Sequence, residues 1–277
     1  MNAMKQTVCL LADACSAVGM ATGLRLAGEG ARLALCCPDG EQPDPAFLEQ
    51  LDGMETPYRI EQADFGNSES LDALVGRIES DARLGGIHAM FYNLVPPVVR
   101  QHINGMSLAQ IDGLIDTWIT RAFLAAKVIG GAMARQKSGS MVFLASLHDD
   151  KPNGIAPLTS MYMGALKNMS REAALFFGAD GVRCNLIEPG AMGGEDALYR
   201  GGLSTFYEGY PFKIPGGYVG GAQDAAALAI FLLSGESKYL NGAEIRMDGG
   251  LLLHYIDTFA NRQALKQAGR DIYGAKR

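Results

Sequence analysis

Tryptophan occurs once in this chain and histidine only four times, and there is no excess of basic charge. The 24 Lys and Arg residues face 30 Asp and Glu, a formal charge of -6 at pH 7. Without surplus cations to displace counterions from a phosphate backbone, no nucleic-acid partner is expected. The five cysteines, at positions 9, 15, 36, 37 and 184, form no CxxC pair and have no histidine nearby at ligand spacing. That spacing argues against a zinc site or a redox dithiol, so the cysteines read as buried thiols and no metal is expected. Apolar runs are short. Asp13 interrupts the run from Val8 to Ala12 before it reaches the length of a signal-peptide core. No uncharged stretch without Pro or Gly approaches the ~18 residues of a membrane helix. A cytoplasmic location without membrane contact is the expectation.

What is present is a large apolar fraction, 48% of 277 residues, together with 35 glycines lacking any three-residue period. These values suit a sizeable core crossed by many tight turns. Short apolar, β-branched runs alternate with longer stretches of helical period. The strand candidates are 7–12, 32–37, 58–64, 87–93, 140–144, 183–187 and 243–247, and the helix candidates 17–29, 68–84, 107–135, 158–177 and 222–233. Ser107 and Gln110 form a capping box at the start of the third helix. The alternation predicts an α/β fold: a single Rossmann-like, doubly wound domain with a seven-stranded parallel sheet and helices on both faces. No repeat or linker suggests a second domain. Residues 1–253 are expected to form this unit, and residues 254–277, which carry Arg262, Lys266 and Arg270, a packing or interaction tail. The Gly- and Tyr-rich stretch 191–221 follows the sixth strand, where such sheets place substrate-covering loops.

Several motifs, taken in order, resemble the short-chain dehydrogenase/reductase superfamily from about residue 7 to residue 253. Ala63-Asp64-Phe65 ends the third strand where that family keeps an Asp near adenine. Asn185-Leu186-Ile187-Glu188-Pro189-Gly190 matches its Pro-Gly turn, and Asn241-Gly242 through Asp248-Gly249-Gly250 resembles its C-terminal signature. The resemblance implies a nicotinamide dinucleotide on the first turn and a Ser, Tyr, Lys and Asn tetrad.

At those functional positions this chain departs from the pattern. The glycine-rich turn falls on residues 12–19, where only Gly19 is kept; Asp13 places a carboxylate, and Ala17 a methyl, where a pyrophosphate would come. Two unit charges ~5 Å apart at an effective dielectric of ~20 repel by about 3 kcal/mol. Asp13 is equally read as a cap on the helix. The ribose selector falls on Cys37 and Pro38, and the family's Asn-Asn-Ala-Gly becomes Tyr92-Asn93-Leu94-Val95. The nicotinamide-contacting Thr falls on Gly194. Asp13, Ala17, Gly19, Cys37, Asp64, Asn93, Pro189 and Gly190 thus mark a degenerate cofactor site, and no cofactor is expected in this chain.

Ser146 stands at the family's serine position, but Thr159, Met163 and Trp118 fall where Tyr, Lys and Asn are expected. A threonine hydroxyl is too weak an acid for the tyrosine's role, and Met163 supplies no cation to lower a neighbour's pKa. Tyr162 reads as a packing or surface residue, with Lys167 on another helix face. His148 follows Ser146 closely, with Asp149 and Asp150 behind it. It reads either as part of a solvated turn or as a general base.

Three readings stay open. One is a catalytically silent subunit assembling with an active NAD(P)-dependent relative, for instance a hydroxyacyl-thioester or alcohol dehydrogenase, or otherwise forming a homo-oligomer. Another is a divergent NAD(P)-dependent oxidoreductase. The third is a non-redox enzyme using Ser146 and His148.

Overall fold

Seven strands carry the architecture: β1 (Val8–Leu11), β2 (Arg32–Cys36), β3 (Tyr58–Glu61), β4 (Ala89–Tyr92), β5 (Gly139–Leu144), β6 (Val182–Pro189) and β7 (Glu244–Met247). In the computed structural model, which describes residues 4–96, 99–152, 154–193 and 214–253, they pair in the order β3-β2-β1-β4-β5-β6-β7. Every pairing is parallel. The order reverses between β1 and β4, and doubly wound sheets bind ligands at such a switch point, outside the carboxyl ends of their strands.

Burial alternates along the strands because successive side chains point to opposite faces. Val8 and Leu10 of β1 pack with α3 (Ser68–Ser80), α5 (Thr120–Arg135) and α6 (Pro157–Gly178) in one core layer. Cys9 and Leu11 pack with α1 (Ala17–Gly28), α2 (Pro45–Gly53) and α7 (Ala222–Leu233) in the other. With both faces covered, β1 and β4 are buried along their whole length, which is why they read as uninterrupted apolar runs.

The sequence left α2 unread although its start is marked: Asp44 accepts from Ala46 N, Pro45 occupies the first turn, and Phe47 and Leu51 form its buried face. The Ser107–Gln110 capping box is present and opens α4 (Leu108–Gly113). The helix then passes through a π-helical turn at Leu114–Ile119 before continuing as α5. Residues 254–277 and most of the covering loop, 194–213, lie outside the described residues, so the proposed tail and the Gly194 position do too. Among the described residues, no helix is long and apolar enough to cross a membrane.

One expectation is overturned outright. Cys15 and Cys37 are not separate buried thiols but a disulfide, with Cα atoms 5.5 Å apart. Chain spacing of 22 residues hid the pair, because the β1–α1 turn and the end of β2 meet only in the folded sheet. Cys9, Cys36 and Cys184 are buried thiols as read.

Candidate functional site

The β1–α1 turn closes on itself. One carboxylate oxygen of Asp13 accepts from the backbone N–H groups of Cys15 (3.0 Å) and Ser16 (3.1 Å). Ser16 is the N-cap of α1, its hydroxyl accepting from Gly19 N. Asn93, at the end of β4, braces the turn from below: its side-chain oxygen accepts from Asp13 N, and its amide nitrogen donates to Asp13 O and Ser16 Oγ, each at 2.9–3.0 Å. Asp13 is therefore a turn ligand rather than a cap on the first helical amides, and Asn93 is a structural clamp. Ala17 is the first residue of α1.

Beside this turn lies a cavity of about 430 Å³, lined by Cys37, Pro38, Asp64, Phe65, Leu94 and Arg121 among others. Asp64 folds back to accept from Gly66 N at 2.8 Å, and Arg121 lies against the ring of Trp118, 5.1 Å from its centroid. Trp118 itself sits in the π-helical turn, half-buried, and meets the ring of Tyr162 edge-on. Tyr162 is fully buried and donates to Leu94 O at 2.7 Å, so it is a packing residue and not a surface one. Thr159 and Met163, on the same helix, are buried as well.

Ser146 and His148 do face each other. Ser146 Oγ lies 3.2 Å from His148 Nδ1 and also accepts from His148 N at 3.3 Å. Burial outweighs the nearby Asp149 carboxylate and pushes the imidazole pKa down, which favours the neutral ring. Asp149 and Asp150, which follow His148 in the chain, both pair with Lys167, at 3.2 and 2.8 Å. Lys167 also pairs with Glu188 (3.1 Å) and Glu244 (3.2 Å), and Arg171 pairs with Glu244. Burial alone would lower the Lys167 pKa, but the carboxylates outweigh it and hold the ammonium charged. Glu188 moves the other way: burial, then its hydrogen bond with Asp149, raise it to about 7. Sequence reasoning missed this cluster because its members come from α6, β6, β7 and the loop after β5. The one readable signal was Lys167, a cation on a helix that is otherwise apolar toward the sheet.

The retained family landmarks have structural reasons of their own. A Cβ on Gly19 would land on the carbonyl of Asp13, and a Cβ on Gly190 would press on Asp248. Pro189 ends β6, and Gly190 N donates to Met247 O. Asp248 accepts from Gly250 N and Leu252 N.

Residues 13–252 match the family model described as enoyl-(acyl carrier protein) reductase. The chain is 28% identical over 194 residues to glucose 1-dehydrogenase 2 of Bacillus subtilis, covering 70% of this chain and 74% of that one. It is 26% identical over 254 residues to levodione reductase of Leifsonia aquatica, covering 88% and 93%. A crystal structure of NAD+-bound xylitol dehydrogenase superposes with a TM-score of 0.78 at 23% identity, over 89% of this chain and 99% of that one. With the strand order, the Pro-Gly turn and the C-terminal signature all in place, this chain belongs to the enoyl-(acyl carrier protein) reductase family of short-chain dehydrogenases/reductases.

Proposed function

We propose that this chain is a catalytically silent member of its oxidoreductase family, one that keeps the fold in order to assemble with an active NAD(P)-dependent relative. The observation that carries this reading is the closed β1–α1 turn. The Asp13 carboxylate takes the Cys15 and Ser16 amides, the kind of donors a pyrophosphate would need. The residues around it do not suit the dinucleotide either. A buried Met163 stands where the resemblance calls for a cation, and a disulfide ties Cys37, at the ribose-selecting position, to the turn. Titration calorimetry with NAD+, NADH, NADP+ and NADPH, run with and without a dithiol, tests the reading. No heat of binding is expected up to millimolar cofactor. A dissociation constant in the micromolar range in either condition returns the chain to the oxidoreductases that its relatives represent.

A second reading rests on the Ser146–His148 contact. A neutral imidazole 3.2 Å from a buried hydroxyl is the arrangement that general-base activation of serine requires. In this reading the chain carries out a non-redox reaction at the mouth of the cleft. Reaction of Ser146 with a fluorophosphonate probe, lost in His148→Ala without a drop in melting temperature, supports it. An unlabelled Ser146 excludes an activated nucleophile.

A further inference from the structure

The Cys15–Cys37 disulfide ties the β1–α1 turn to the end of β2, where one wall of the cavity begins. Cys15 belongs to the turn, while Cys37 lines the cavity next to Pro38. We propose that this pair is a reversible redox site, opened by a dithiol reductant, whose state determines whether the cavity wall is clamped to the turn.

Bonds that do not involve the sulfurs hold the turn to β2 and β4, so the fold does not need the bridge, and the bridge adds the tie to residue 37. Ala14 N donates to Cys36 O at 2.7 Å, Ala12 N donates to Phe91 O at 3.0 Å, and Asn93 fixes Asp13. The Cα separation of 5.5 Å lies in the range a disulfide spans without backbone movement. Bridged and reduced states therefore share one fold, which is what reversibility demands.

Access differs between the sulfurs. Cys15 is half-buried at the surface of the turn, whereas Cys37 is buried against the cavity. A reductant thiolate attacks Cys15 Sγ, the S–S bond breaks, and Cys37 leaves as a thiolate that takes up a proton. The reductant's second thiol then attacks the mixed disulfide and expels Cys15 as a thiolate, which is protonated in turn. The reductant ends as a disulfide and the protein has gained two electrons and two protons.

The other three cysteines cannot divert the exchange. Burial pushes the Cys9, Cys36 and Cys184 thiols far above their ordinary pKa, which suppresses the thiolate. Cys36, although next in sequence to Cys37, packs into the opposite core layer. The bridge thus forms between one pair only, and its state acts on one wall of one cavity.

The test uses the full chain, air-oxidised or treated with dithiothreitol, trapped with N-ethylmaleimide and mapped by mass spectrometry. The oxidised protein is expected to take no label at positions 15 and 37, and the reduced, still folded protein to take one at each. Hydrogen exchange on the two forms is expected to rise by about fivefold or more at residues 13–17 and 37–41 on reduction, and to stay level in the strands. The melting temperature is expected to fall by roughly 5–10 °C. Cys15→Ser is expected to leave Cys37 reactive without any reductant. If that variant does not fold, the labelling of the unmodified chain decides alone. The proposal is overturned if both thiols stay reactive after oxidation, or if the bridge opens only in denaturant. It is also overturned if exchange at 13–17 and 37–41 is the same in both forms. None of these readouts depends on whether a dinucleotide binds.

Discussion

Asp13 and Gly19 account for each other. Once the carboxylate at position 13 is drawn in to meet the Cys15 and Ser16 amides, the Asp13 carbonyl lies where a side chain at position 19 would begin. Gly19 is thus required by the closed turn itself, whatever the turn once held. Gly19→Ala should cost more than about 2 kcal/mol by displacing that carbonyl, read as a lower urea midpoint. Asn93→Ala should cost about 2–4 kcal/mol, since it removes partners from Asp13 N, Asp13 O and Ser16 Oγ in a buried setting. Glu188 supplies a test in pH. Its folded pKa of about 7 lies above the ordinary carboxylate value, so the folded state binds the extra proton. Its stabilising contribution is complete below the unfolded pKa, near ~4.3, and is lost as pH rises through about 7. Glu188→Gln should therefore gain in melting temperature relative to the parent between pH 5 and pH 8, because the glutamine cannot ionise beside Asp149. Parallel melting curves across that range would refute the assignment.

At the level of elements, the fold was readable wherever burial is two-sided or a cap is local. β1 and β4 were visible as buried apolar runs, the edge strands β3 and β7 only as short mixed ones, α7 has the bounds its alanine-rich period suggested, and the Ser107–Gln110 box opens α4 as expected. What escaped reading depends on contacts between distant segments. The π-helical turn that presents Trp118 has no local composition signal. The Cys15–Cys37 bridge needs β1 beside β2, and the Lys167 cluster gathers charges from four separate parts of the chain. The Ser146–His148 contact was only half legible: the spacing was visible, but the short 3-10 turn at Leu147–Asp149 that curls the imidazole back to the hydroxyl was not. Helix α6 also limits how the family's tetrad could be rebuilt. Met163 is fully buried and packed with Tyr162 and Leu166. Met163→Lys therefore places an ammonium in an apolar layer, at a cost of about 3 kcal/mol or more. Thr159→Tyr combined with Met163→Lys should fold poorly and show no hydride transfer to or from NAD(P), as judged by urea titration and absorbance at the nicotinamide band.

The whole molecule is a sheet covered on both faces, and its outer helical surface is not uniformly polar. Phe123 on α5 and Met161 on α6 are 58% and 48% exposed near the starts of their helices; Leu175 and Phe176, near the end of α6, are 78% and 77% exposed. Single exposed apolar side chains are ordinary, and large ones on two neighbouring helices are the surface on which the proposed assembly would form. The inner face of α6 is already occupied, with Tyr162, Met163 and Leu166 against the sheet, so these outer residues are not part of the chain's own core. Covering one such side chain is worth roughly 1.5–3 kcal/mol, and a net charge of -6 spread over 277 residues is no strong barrier to association. Phe176→Glu should weaken self-association or association with a relative by about a hundredfold, a loss of roughly 3 kcal/mol at a central contact. Sedimentation velocity of the parent and the variant measures this, first alone and then co-expressed with an active family member. A parent that oligomerises only with the relative supports the silent-subunit reading, and one that oligomerises alone supports a homo-oligomer on the same helices. If parent and variant both sediment as monomers at high concentration in every combination, the exposed faces of α5 and α6 serve no assembly, and the proposal of a partner subunit fails with them.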